Sequence, residues 1–117
     1  MADEHGQDRR QHARHPVSFP VDYIGGVIGC GQAADLSPLG CAIASDTPVP
    51  VQTYLKIQLS LPGGATPLEI ELAVVRWSYG SLFGVEFIAF GELQKARLRR
   101  FLASAAGLSI ESQQEEP

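Results

Sequence analysis

The sequence is poor in the features that mark secretion, a membrane span or catalysis. Its 117 residues hold two cysteines, Cys30 and Cys41, too few for a disulfide-stapled scaffold and without the Cys-x-x-Cys spacing of a metal or redox site. Two such thiols are expected to be reduced and buried. No run approaches the roughly 18–20 consecutive apolar residues of a spanning helix, so no membrane insertion is expected. Met1-Ala2-Asp3-Glu4-His5 lacks a basic stretch followed by an apolar one, so no signal peptide is expected and the compartment is expected to be cytoplasmic. Positive charge is scarce: nine Lys and Arg against thirteen Asp and Glu leave a net charge of −4. That excludes the broad cationic surface of a protein that coats DNA or RNA, although a small local anion site remains compatible. A nucleophile elbow and a phosphate-binding glycine loop are both missing, so the chain is not expected to be an enzyme. His5, His12 and His15 stand near Asp3, Glu4 and Asp8, but without paired ligand spacing or a rigid scaffold. Neither a metal nor a cofactor is expected there.

Glycine and proline are plentiful, at twelve and eight residues, which favours short elements joined by turns. Residues 1–16 are polar and unpatterned and read as a flexible arm. Val17, Phe19, Val21 and Tyr23 then alternate with Ser18, Pro20 and Asp22, the period of a half-buried strand. Gly25-Gly26 predicts a tight hairpin into a second strand over 27–34, where Gly29 and Gly31 suggest a bulge or a close backbone approach. A turn over 35–40, a short strand over 41–45 and a proline loop over 46–50 follow. Leu55, Ile57, Leu59 and Leu61 alternate cleanly. So do Leu68, Ile70, Leu72 and Val74 after the Pro62-Gly63-Gly64 turn, with a slip of phase near Val75 and Trp77. Tyr79-Gly80-Ser81 turns the chain into Phe83, Val85 and Phe87. The period then changes: Leu98, Phe101, Leu102 and Ala105 define an amphipathic helix ending near Gly107, with a polar, disordered tail expected over 107–117. Six short strands and one helix predict an all-β fold, a six-stranded antiparallel β-barrel with a C-terminal α-helix over 17–106, because closure removes sheet edges.

Two segments carry chemistry. Arg9-Arg10-Gln11-His12-Ala13-Arg14 gathers three of the nine basic residues just before the first strand. Asp35-Leu36-Ser37-Pro38-Leu39-Gly40 is a polar turn between strands. Guanidinium groups grip phosphate and the O6/N7 edge of guanine and stack on bases. A carboxylate at Asp35 can accept from the guanine N1–H and N2–H₂ edge, Ser37 adds a hydroxyl, and Gly40 leaves room for a close approach. Taken singly, the first segment reads as a solvated charge run and the second as a turn that satisfies its own backbone.

Together, Arg10-x-x-x-Arg14 followed by Asp35-x-Ser37-x-x-Gly40 resembles the paired motifs of the PilZ domain family, and Gly84-Val85-Glu86-Phe87 is similar to a further feature common in it. The likeness extends over residues 9 to about 103. It implies a single-domain receptor and adaptor for cyclic di-GMP, with Arg9, Arg10, Arg14, Asp35, Ser37 and Gly40 as the ligand-binding residues and an unidentified downstream protein as the partner. Arg9 just before the motif is similar to family members that take a stacked ligand pair, which implies two cyclic di-GMP molecules per chain. The alternative is a PilZ-like protein-interaction module that binds no nucleotide, as in pilus or motility assembly. Trp77 and Tyr79 next to a turn suit packing or turn shielding better than base stacking. Lys95, Arg97, Arg99 and Arg100 suit a solvent-facing helix surface better than a nucleic-acid patch.

Overall fold

The computed structural model describes residues 14–63 and 66–114. Six strands close into one antiparallel barrel in the order β1-β2-β3-β6-β5-β4. They are β1 (His15–Gly25), β2 (Gly29–Ser37), β3 (Gly40–Ala44), β4 (Tyr54–Leu59), β5 (Leu68–Tyr79) and β6 (Leu82–Ala89), followed by the helix α1 (Glu92–Gln114). Alternation places Phe19, Val21 and Tyr23 of β1, Leu55, Ile57 and Leu59 of β4, and Phe83, Val85 and Phe87 of β6 in one core. Edge-on packing of Tyr23 and Phe83, with ring centroids 5.5 Å apart, fills its middle. The Tyr23 hydroxyl lies 2.7 Å from Ser45 Oγ, which donates to the Cys30 carbonyl. A buried phenol therefore keeps a partner.

The helix closes one end of the barrel. Leu98 and Leu102 are buried, and the ring of Phe101 meets that of Phe19 edge-on at 6.2 Å. Arg97 is not the solvent-facing residue expected from the sequence. It donates to the carbonyls of Thr66 at 2.6 Å and Pro67 at 3.2 Å, tying α1 to the segment before β5. The helix also runs past Gly107 to Gln114. A lone glycine costs only about 1 kcal/mol in a helix, and no proline follows until Pro117.

Other departures have equally local causes. Gly25 is the last residue of β1, paired with Leu55, and neither it nor Gly26 has a positive φ, so the connection is a longer loop. The turn expected over 35–40 contracts to Pro38-Leu39, because Asp35, Leu36 and Ser37 still pair with β3. The phase of β5 slips twice, between Leu72 and Ala73 and between Val75 and Trp77. The first slip turns Ala73 inward, where alternation alone expects an outward residue. Cys41 is buried as expected, but Cys30 is exposed on β2 and both thiols are free. Burial, with the Asp35 carboxylate nearby, pushes the Cys41 thiol up to about 12, so it stays protonated and unreactive at neutral pH.

Candidate functional site

Arg14, the last residue of the first motif, meets the second motif on the outer face of the barrel. Strand β1 begins at His15, opposite Leu36, with Pro16 opposite Asp35, and its register shifts before Phe19. Only the later part of β1, from Val21, pairs with β4. Pro16 therefore sits where a missing N–H breaks no second ladder. This pairing delivers Arg14 to Asp35: Arg14 Nη1 donates to Asp35 Oδ1 at 2.7 Å. The same oxygen accepts from the Ala42 amide at 3.0 Å. Arg9 and Arg10 lie outside the described residues.

Ser37 is buried, and its hydroxyl has partners inside the turn. It accepts from the Leu39 amide at 3.2 Å and donates to the Gly40 carbonyl at 3.3 Å. The turn is tied to the barrel by the Phe87 amide, which donates to the Leu39 carbonyl at 2.8 Å. Gly40 has a structural necessity of its own. A Cβ there would stand 2.1 Å from the Val85 carbonyl oxygen, far inside contact distance. Any side chain would push β3 off β6.

Register extends the site across the barrel. Asp35 is opposite Ala42, Ala42 opposite Gly84, and Gly84 opposite Trp77. Directly opposed residues in antiparallel strands project from the same face, so one outward row crosses four strands from a carboxylate to an indole. Trp77 lies across Gly84, where an added Cβ would come within 2.1 Å of Nε1. Beside it Arg76 Nε donates to Glu86 Oε1 at 2.6 Å. Arg14, Leu39, Gly40, Trp77, Gly84 and Glu86 line one cleft of about 220 Å³, with Arg76 and Val85 completing it. The sequence did not bring Trp77 to this site. Its signal was the pairing of the only tryptophan with a glycine on the neighbouring strand, visible only once the register is known.

The structure is thus a closed six-stranded barrel that gathers Arg14, Asp35, Gly40 and Trp77 on one stretch of its outer face. The family model for the PilZ domain matches residues 8–104, and the chain belongs to that family, a family of cyclic di-GMP receptors. Solved structures share the fold. The chain is similar to the PilZ domain of CeSA from a cellulose-synthesizing bacterium, with TM-score 0.63 and 19% identity over 80% of this chain and 98% of that one. It is also similar to the Bacillus subtilis inhibitor of motility MotI/DgrA, with TM-score 0.67 and 19% identity over 92% of this chain and 53% of that one. The chain thus spans about half the length of the latter protein. Among curated protein sequences no significant match is found. No helix among the described residues is long and apolar enough to cross a membrane.

Proposed function

We propose that this chain is a cyclic di-GMP receptor that holds the dinucleotide between the Arg9–Arg14 segment and the outer barrel face at Asp35–Gly40, and relays the signal to a partner protein. The observation that carries this reading is the Arg14–Asp35 contact, which unites two motifs 21 residues apart. With side chains 49% and 30% exposed, the pair contributes at most about 1 kcal/mol to stability. It therefore opens at little cost when a ligand competes for both groups. Arg10 and Arg14 take phosphate and the guanine O6/N7 edge, while Asp35 accepts from the N1–H and N2–H₂ edge, which adenine does not present in that form. Ser37 and Gly40 hold the turn that aims Asp35.

Arg9 extends the grip to a second, stacked ligand. Two ligands bring more phosphate charge than the three arginines of this segment neutralise, so affinity falls as salt rises. Strand β1 already begins at His15, so the arm expected over residues 1–16 gives way to the barrel there. Binding holds residues 5–13 against the barrel, covers one face and creates a new surface for the partner. Hydrogen exchange tests this directly. Saturating cyclic di-GMP is expected to slow amide exchange in residues 5–13 and leave β4 unchanged. Equal exchange with and without ligand in residues 5–13 sinks this step.

A further inference from the structure

We infer that the groove between the Pro38-Leu39 turn and α1 is the surface through which this barrel meets its partner, and that the partner enters it with an acidic segment carrying a large apolar side chain. This inference rests on the relay step of the cyclic di-GMP reading and gives that step a place and a chemistry. The groove lies beside the cleft at Arg14 and shares one residue with it, Leu39.

The walls are apolar. Leu39 on the turn, Phe87 and Ile88 at the end of β6, Phe90 just after it and Leu98 of α1 enclose about 310 Å³. Phe87 and Leu98 are buried and form the floor, whereas Leu39 and Ile88 remain 49% and 45% exposed. Two large aliphatic side chains that border one hollow and stay half in water form a patch, unlike a single exposed leucine, and such patches mark contact sites. The volume stands at the low end of the roughly 300–1,000 Å³ of ligand pockets, room for a short apolar anchor.

Charge selects what carries the anchor. Lys95 and Arg99, one turn apart on α1, line the same groove. Lys95 Nζ stands 3.6 Å from Glu92 Oε2, an exposed pair that contributes little, and 5.7 Å from the centre of the Phe90 ring, beside the apolar wall. Arg99 is exposed and makes no ion pair with the described residues, whereas Arg97 is held by the Thr66 and Pro67 carbonyls. An apolar hollow faced by two cations fits a segment with carboxylates next to its anchor. It does not fit a second copy paired about a two-fold axis, which would set Lys95 and Arg99 against their own counterparts.

Leu39 joins the groove to the ligand site. The Ser37 hydroxyl accepts from its amide and the Phe87 amide donates to its carbonyl, so the residue is tied both to the motif turn and to the strand that ends in the groove. A ligand that draws on Asp35 therefore acts on a turn whose other side is groove wall, and ligand and partner shift each other's affinity.

The test uses the isotope-labelled full chain, followed by amide NMR, with and without saturating cyclic di-GMP. The probes are the blocked peptide Asp-Glu-Leu-Phe-Glu-Asp, its counterpart Lys-Lys-Leu-Phe-Lys-Lys and the anchorless Asp-Glu-Ala-Ala-Glu-Asp. The first is expected to shift the amides of Leu39, Ile88, Phe90 and Lys95, and the other two to bind ~10-fold more weakly. Lys95→Glu with Arg99→Glu is expected to weaken the first peptide by a similar factor, with parent-like melting and parent-like calorimetric affinity for cyclic di-GMP. Bound cyclic di-GMP is expected to change the peptide's affinity by about 5-fold or more. No shift at these amides up to millimolar peptide, shifts centred elsewhere, or equal binding of the lysine peptide overturns the docking assignment. Movement of the same amides on dilution without peptide assigns the groove to a second copy, and nuclear Overhauser contacts from residues 1–13 assign it to this chain's own first segment; either overturns the partner assignment. Identical peptide affinity with and without bound ligand overturns the coupling through Leu39. Peptide binding at the groove without calorimetric heat from cyclic di-GMP overturns the receptor reading and leaves the docking surface standing.

Discussion

Arg10→Ala and Arg14→Ala are each expected to lower affinity for cyclic di-GMP by about 10- to 150-fold, the equivalent of one lost charge-assisted hydrogen bond at roughly 1.5–3 kcal/mol. The barrel should survive both. Arg14 is half exposed, and its removal leaves Asp35 Oδ1 still accepting from the Ala42 amide. A surface ion pair of this kind is worth about 1 kcal/mol at most, so the melting temperature of Arg14→Ala should move by only a few degrees. Arg9→Ala has a different expected signature, a lower ligand-to-chain ratio. Titration calorimetry with a thermal melt of each variant separates the outcomes. A double variant, Arg10→Ala with Arg14→Ala, that keeps full affinity would remove the arginine motif from the site.

The second large effect is on folding. Gly40→Ala is expected to destabilise the barrel by about 2–3 kcal/mol, because its methyl group would start 2.1 Å from the Val85 carbonyl oxygen. Backbone on both sides of the contact leaves no flexible side chain to swing away. The strands must separate, and with them the Leu39–Phe87 hydrogen bond that anchors the turn. For a domain of this size the expected fall in melting temperature is roughly 10–20 °C. A motif glycine would then owe its identity to strand pairing first and to ligand clearance second. Gly40→Ala that melts like the parent but fails to bind would reverse that order.

Strands β2 and β3 were read from the turns that bound them, β3 being buried on both faces, whereas alternation located β1, β4, β5 and β6. It failed where the face changes. Ala73 turns inward after a register slip that no residue pattern announces, since alanine suits either side of a sheet. The end of α1 was misplaced for a related reason: Gly107 resembles a stop, but nothing after it terminates the helix. The site was legible in part. Arg14 and Asp35 were visible as motifs, and their meeting follows from the pairing of Pro16 with Asp35. Trp77 was not legible as a site residue, because its neighbourhood is set by two registers, Ala42 to Gly84 and Gly84 to Trp77. Arg97 was hidden likewise. Its partners are the backbone carbonyls of Thr66 and Pro67, which carry no side-chain signal.

The satisfied hydrogen bonds of Ser37 and Asp35 suit both an armed site and a quiet turn. Ligand binding itself decides between them. Isothermal titration of the full chain with cyclic di-GMP, using GTP and cyclic di-AMP as controls, tests the central claim most directly. The account predicts selective heat for cyclic di-GMP with a ratio near two ligands per chain. No heat and no rise in melting temperature at high ligand concentration would contradict it, leaving a PilZ barrel whose motifs serve the fold and whose function lies in protein contacts.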